Sequence, residues 1–125
     1  MKIGMTRVYV TDVDAAFKFY TETLGFVEKL RIPDAQLAIV VSPEDPEGTT
    51  LMLEPNGNPI ASTYQQAIFG TGLPEIVFFV DDVQREYERL KQLGVVFRRS
   101  PTTTKWGTQA VFDDTCGNYI QLHQA

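Results

Sequence analysis

The sequence predicts an α+β protein: two tandem βαβββ modules forming curved mixed sheets around a cup-shaped pocket. Three observations predict it. First, the chain nearly repeats itself, with VYVTDVDAAFKFYTETLG at 8–25 returning as FFVDDVQREYERLKQLG at 78–94, and GTTLML at 48–53 as GNYIQL at 117–122. Second, each copy runs strand, capped helix and glycine stop in the same order. Third, the strands alternate apolar and mixed positions, as half-buried sheets do. Asp12 and Asp82 are 70 residues apart, whereas Leu24 and Leu93, like Gly48 and Gly117, are 69 apart, so the second helix is one residue shorter. The period is too long, and two copies too few, for a solenoid. A duplication about a pseudo-twofold explains both, and each site-forming position then has an equivalent in the other module.

The elements follow in order. Lys2–Thr11 alternates and is rich in strand formers. Asp12 is placed as an N-cap, Val13, Ala16, Phe17, Tyr20 and Leu24 recur at helical spacing, and Gly25 closes the helix. Phe26–Ile32 and Gln36–Ser42 read as strands joined by a turn at Pro33-Asp34, SPEDPEG at 42–48 as a loop, and Thr49–Glu54 as a fourth strand. Residues 1–55 are thus the first module. Residues 56–72 form a linker in which Asn58 and Pro59 start a short helix, Ile60–Phe69. The second module, 73–125, has a strand at Glu75–Val80, a cap at Asp82, a helix at Val83–Leu93 ended by Gly94, and strands at Val95–Arg99, Thr108–Phe112 and Asn118–Gln124. The three parts make one domain spanning 1–125.

Bulk properties narrow the function. A chain of 125 residues, 43% hydrophobic and 22% charged, is one soluble globular domain. A net charge of −5 with 11 Lys and Arg lacks the basic footprint that nucleic acid requires. No apolar run approaches a membrane span. The start, MKIGMTRVYV, lacks the pattern of a secretory signal. A single cysteine, Cys116, forms no internal disulfide and suits a reducing environment, so a cytoplasmic location is expected. Strand alternation then sorts side chains onto faces. Val8 with Val10, Leu51 with Leu53, Ile76 with Phe78, and Ile120 with Leu122 make one purely apolar face for the helices. The opposite face mixes Met, aromatic and polar groups: Met5, Arg7, Tyr9, Met52, Glu54, Glu75, Val77, Phe79, Tyr119, Gln121 and His123. A half-wet face of that kind is what a small-molecule pocket requires.

With these residues in view the chain resembles the vicinal oxygen chelate superfamily: glyoxalase I, bleomycin-resistance proteins, fosfomycin-resistance enzymes and extradiol dioxygenases. The carrying segments are VTDVDAAFKFYTETLGF at 10–26, VDDVQREYERLKQLGV at 80–95 and WGTQAVFDDTCGNYIQL at 106–122. The resemblance implies the tandem fold and a divalent metal held from the first and fourth strand of each module. By motif position those ligands fall on Met5, Met52, Glu75 and Gln121. Thioethers do not serve a hard cation, so the expected cofactor is none, with a divalent metal open but disfavoured.

The expected ligand-binding residues are Arg7, Tyr9, Met52, Glu54, Phe79, Trp106 and Gln121, with Tyr64 as a further aromatic wall. The catalytic candidates are Glu75 and His123. His123 is the one histidine, so imidazole chemistry would have to be its work, as an acid/base pair with Glu54 or in a displaced metal site of Glu54, Glu75, Gln121 and His123. The plainer reading, an ordinary strand histidine, is preferred. Glu75 would bind a cationic group, act as base, or pair with Arg7; the pair is preferred, because a buried charge needs a partner. Arg7 would alternatively clamp a carboxylate. Asp113 and Asp114 read as turn formers. Three functions stay open: a small-molecule binder without the usual metal, an enzyme (a metal-dependent lyase, isomerase or dioxygenase with a rearranged ligand set, or one with a purely acid/base mechanism), and an interaction module covered by another chain. A homodimer is expected, because open antiparallel edges need covering.

Overall fold

Both modules begin with a strand that stops at an aspartate. The computed structural model describes all of residues 1–125. Strand β1 (Met5–Val10) leads to Asp12, whose Oδ1 accepts the Ala15 backbone N–H at 3.0 Å and starts helix α1 (Val13–Lys18). Strand β5 (Pro74–Phe79) leads to Asp82, which accepts from Arg85 N at 3.0 Å and starts helix α3 (Val83–Gln92). An extended capping residue whose carboxylate satisfies an orphan N–H is what both sites require.

The helix ends explain the one-residue offset of the repeat. Helix α3 finishes in a Schellman turn, with Val95 N donating to Leu90 O and Gly94 N to Lys91 O, both at 3.0 Å, and Gly94 at φ 89°. Helix α1 instead widens into a π turn over Phe19–Thr23, where Leu24 N donates to Phe19 O at 3.0 Å. Phe26 N reaches back to Tyr20 O, one residue further than in α3, and Gly25 takes φ 93°. The extra residue is therefore absorbed as a π bulge, and both modules leave their helix at an equivalent glycine.

The remaining elements are β2 (Val27–Ile32), β3 (Leu37–Val41), β4 (Thr50–Pro55), α2 (Pro59–Thr71), β6 (Phe97–Thr104), β7 (Gly107–Asp113) and β8 (Tyr119–Gln124). They form two open four-stranded mixed sheets, ordered β1-β4-β3-β2 and β5-β8-β7-β6. In each, the first and fourth strands run parallel and the other neighbours antiparallel. This is the tandem βαβββ arrangement of an α+β fold. The chain divides into compact units 1–65 and 66–125, the division falling within α2. That helix is capped as its sequence suggests, Ile60 N donating to Asn58 Oδ1 at 2.9 Å, and runs two residues past Phe69. No helix is long and apolar enough to cross a membrane.

The cores lie where alternation puts them. Helix α1 packs on β3 and β4, over buried Val8, Val10, Ala38, Val40, Leu51 and Leu53; α3 packs on β6, β7 and β8, over buried Ala110, Phe112, Ile120 and Leu122. Two strands differ from expectation. The first begins at Met5, not Lys2, although Thr49 Oγ1 ties down Ile3 O at 2.7 Å. The strand expected at Val95–Arg99 starts at Phe97, because the Schellman turn uses Val95, and continues past Pro101 to Thr104. Pro101 is tolerated because β6 is an edge strand and the register jumps from Arg99↔Val111 to Thr102↔Gln109 around it.

The β7–β8 turn is held by the two aspartates read as turn formers. Asp113 Oδ1 accepts from Thr115 N at 2.7 Å. Asp114, fully buried, accepts from Cys116 N at 2.7 Å, Asn118 N at 3.0 Å and Asn118 Nδ2 at 2.9 Å. A buried carboxylate with three donors needs no cation to balance its hydrogen bonding. Cys116 is buried in the same turn.

Candidate functional site

The face of each sheet away from its helix carries most of the candidate residues. In the first module Arg7 is registered with Met52 and Tyr9 with Glu54 on the parallel β1–β4 pair. Met5, Arg7, Tyr9, Met52 and Glu54 thus share one face. Arg7 Nη1 donates to Glu54 Oε2 at 3.0 Å, and its guanidinium carbon lies 4.9 Å from the Tyr9 ring centre. Within its module Arg7 pairs with Glu54, a diagonal neighbour on the adjacent strand, which such a register brings into reach. Met5, Thr6, Arg7 and Met52 line a shallow open hollow of about 370 Å³. Towards β2 the face becomes aliphatic, with Ile39 opposite Met52 and half-exposed Leu30 opposite Ile39.

In the second module the equivalent register pairs Val77 with Gln121 and Phe79 with His123. Glu75 lies at a register irregularity between Pro74 and Ile76, since proline offers no N–H to the ladder. Phe79 is 78% exposed, and its ring stands 5.1 Å from the His123 imidazole. Gln109, directly across β7, places Nε2 3.4 Å from His123 Nδ1. Tyr119 stacks on Phe69 at 4.3 Å, with the Arg98 guanidinium 5.2 Å from its ring centre.

Two expected aromatic walls sit elsewhere. Trp106 is in the turn between β6 and β7, 71% exposed, with Lys105 Nζ 5.0 Å from its ring. Tyr64 lies on α2 beside Pro59, Ile60 and Thr63, around an open depression of about 450 Å³. Residues missed by sequence reasoning are Leu30 and Ile39 in the first module and Gln109 in the second. Alternation on the third strands would have found Ile39 and Gln109. Leu30 was hidden, because a bulge between Glu28 and Leu30 reverses parity and sends Arg31 to the helix side. There Arg31 pairs with Asp14 and lies over Phe17.

The tandem modules, the W-G…D-x-x-G-N ending at Trp106–Asn118 and a family match over residues 2–122 agree. The chain belongs to the Glyoxalase/Bleomycin resistance protein/Dioxygenase superfamily. Among its relatives, the uncharacterized protein YurT of Bacillus subtilis (strain 168) is 51% identical over 126 residues, covering 99% of each chain. Among solved structures, UcmS2 has a TM-score of 0.84 at 30% identity, over 100% of this chain and 98% of that one. TnmS3, an antibiotic binding protein from Streptomyces sp. CB03234, has a TM-score of 0.75 at 28% identity, over 99% and 95%.

The residues at the positions where members of the superfamily usually hold a metal do not fit one. Met5 and Met52 are on the open face of the first module, Glu75 and Gln121 on β5 and β8 of the second. Two soft neutral thioethers, one amide and one carboxylate do not make the oxygen and imidazole set of a hard divalent ion. No group of three or more His, Cys, Asp or Glu side chains comes together as an alternative.

Proposed function

We propose that this chain binds a small organic molecule on its open sheet faces, without the superfamily's divalent metal. The observation that carries the reading is chemical. Three of four metal positions hold Met5, Met52 and Gln121, and the Met pair lines an accessible hollow in place of a coordination shell. Methionine is flexible and polarizable, suited to varied apolar surfaces. The likeness to TnmS3 makes antibiotics the first class of compound to screen. Glu75, Phe79, Gln121 and His123 supply polar and aromatic contacts on the second module's face. We propose a homodimer as the assembly, testable by sedimentation against the 14.1 kDa monomer mass.

Two measurements test the reading. Metal analysis of protein purified without chelator is expected to give well under one equivalent. A thermal-shift screen of small organic compounds is expected to find at least one that stabilises the fold; at a hundredfold excess over Kd the gain is about 2.7 kcal/mol. One equivalent of metal bonded through Glu75, with no compound stabilising the metal-free protein, would overturn it.

A further inference from the structure

Arg7 on β1 meets a ring on one strand and a carboxylate on the next. Its guanidinium carbon lies 4.9 Å from the centre of the Tyr9 ring, and Nη1 donates to Glu54 at 3.0 Å. Yet the side chain is 53% exposed, which leaves guanidinium surface open to solvent. Next to it, Met5 and Met52 line the same hollow of about 370 Å³. Each of these groups has a ligand preference. A guanidinium plane attracts the face of an electron-rich ring. Thioether sulfur favours aromatic rings, often at the edge. An aliphatic group of the same size would gain from the methionines by burial alone and nothing from the guanidinium. An anion would gain little, because Glu54 already neutralises Arg7.

We propose that the first module's open face takes a flat, uncharged, electron-rich aromatic ring, stacked on the Arg7 guanidinium with Met5 and Met52 against its edge. Tyr9, guanidinium and ligand ring then form a three-layer stack. Glu54 sets the charge preference: it holds the guanidinium plane and removes the attraction for carboxylates. The inference rests on the small-molecule reading above and narrows it to one ligand class and one module.

The test uses 2-naphthol, its saturated counterpart decahydro-2-naphthol, and 2-naphthoate as probes. The protein carries methyl-labelled methionine, and Met1, with Met5 and Met52 the only methionines in the chain, serves as internal control. Expected are ring-current shifts of the Met5 and Met52 methyl resonances with 2-naphthol, an unmoved Met1, and 2-naphthol affinity about tenfold above that of the saturated alcohol. Arg7→Lys, which keeps charge but loses the plane, is expected to weaken 2-naphthol by a similar factor. Glu54→Gln is expected to turn preference towards 2-naphthoate. Equal affinity for ring and saturated alcohol, or Met5 and Met52 methyls that stay put, would overturn the proposal. A screen hit that stabilises the fold but leaves the Met5 and Met52 methyls unmoved would sink this inference and leave the small-molecule reading standing. A complete lack of organic ligands would sink both.

Discussion

In the first module Arg7 bonds to Glu54 and lies against Tyr9; at the equivalent places in the second stand Val77, His123 and Phe79, where two rings meet 5.1 Å apart. The backbone beneath is the same. Tyr9 is registered with Glu54 as Phe79 is with His123, and Arg7 with Met52 as Val77 is with Gln121. One module offers an ion pair among thioethers, the other an imidazole among amides and aromatics. What the modules share is buried: Leu51 and Leu53 correspond to Ile120 and Leu122, and all four are core. Close packing constrains interior side chains, whereas an open sheet face changes its chemistry at little cost to folding. The duplication therefore kept a skeleton and diversified the surface on it.

That division can be broken most directly in the cores. Leu53→Ala and Leu122→Ala occupy equivalent positions, at 0% and 4% exposure, and each is expected to cost about 2–5 kcal/mol in urea unfolding. A cost below about 1 kcal/mol at either would show that the two skeletons are not equivalent. A sharper contrast lies in the loops. Asp114 is buried with three donors, while its counterpart Asp45 is exposed. Asp114→Ala is expected to cost at least about 1–3 kcal/mol, and Asp45→Ala to stay within about 0.5 kcal/mol. Similar values for both would mean the turns carry equal weight.

Smaller effects test what is common to both halves. Asp12→Ala and Asp82→Ala each remove one capping bond of 3.0 Å and are expected to cost about 1 kcal/mol apiece, adding in the double variant. Least of all is expected from the Arg7–Glu54 pair. Its side chains are 53% and 31% exposed, so a double-mutant cycle is expected to give under about 1 kcal/mol of coupling. A larger coupling would make the pair a structural strut and weaken the case that it serves a ligand.

The sequence showed the caps, the glycine stops and the buried face well, because each rests on interactions within a few residues or on a strict period of two. It failed where the period itself breaks. The β2 bulge exchanged the faces of Leu30 and Arg31, and the register jump around Pro101 let β6 run on to Thr104. The offset of one residue in the repeat was visible as a number, but only the hydrogen bonds of Phe19–Thr23 show it to be a π turn. Nor does residue spacing show that Trp106, expected as an aromatic wall, stands exposed in the β6–β7 turn.

By itself, then, the sequence determined the two βαβββ modules, their superfamily and the unsuitability of Met5 and Met52 for a hard metal. These follow from residue type and spacing, which no packing can alter. The tertiary structure alone decided which charged groups meet. Arg7 has several carboxylates near it in pattern space, and the parallel β1–β4 register gives it Glu54. Likewise, Gln109 faces His123 only because β7 lies antiparallel to β8 at that register. Partners across strands are set by register, and register is a property of the folded sheet that local sequence does not contain.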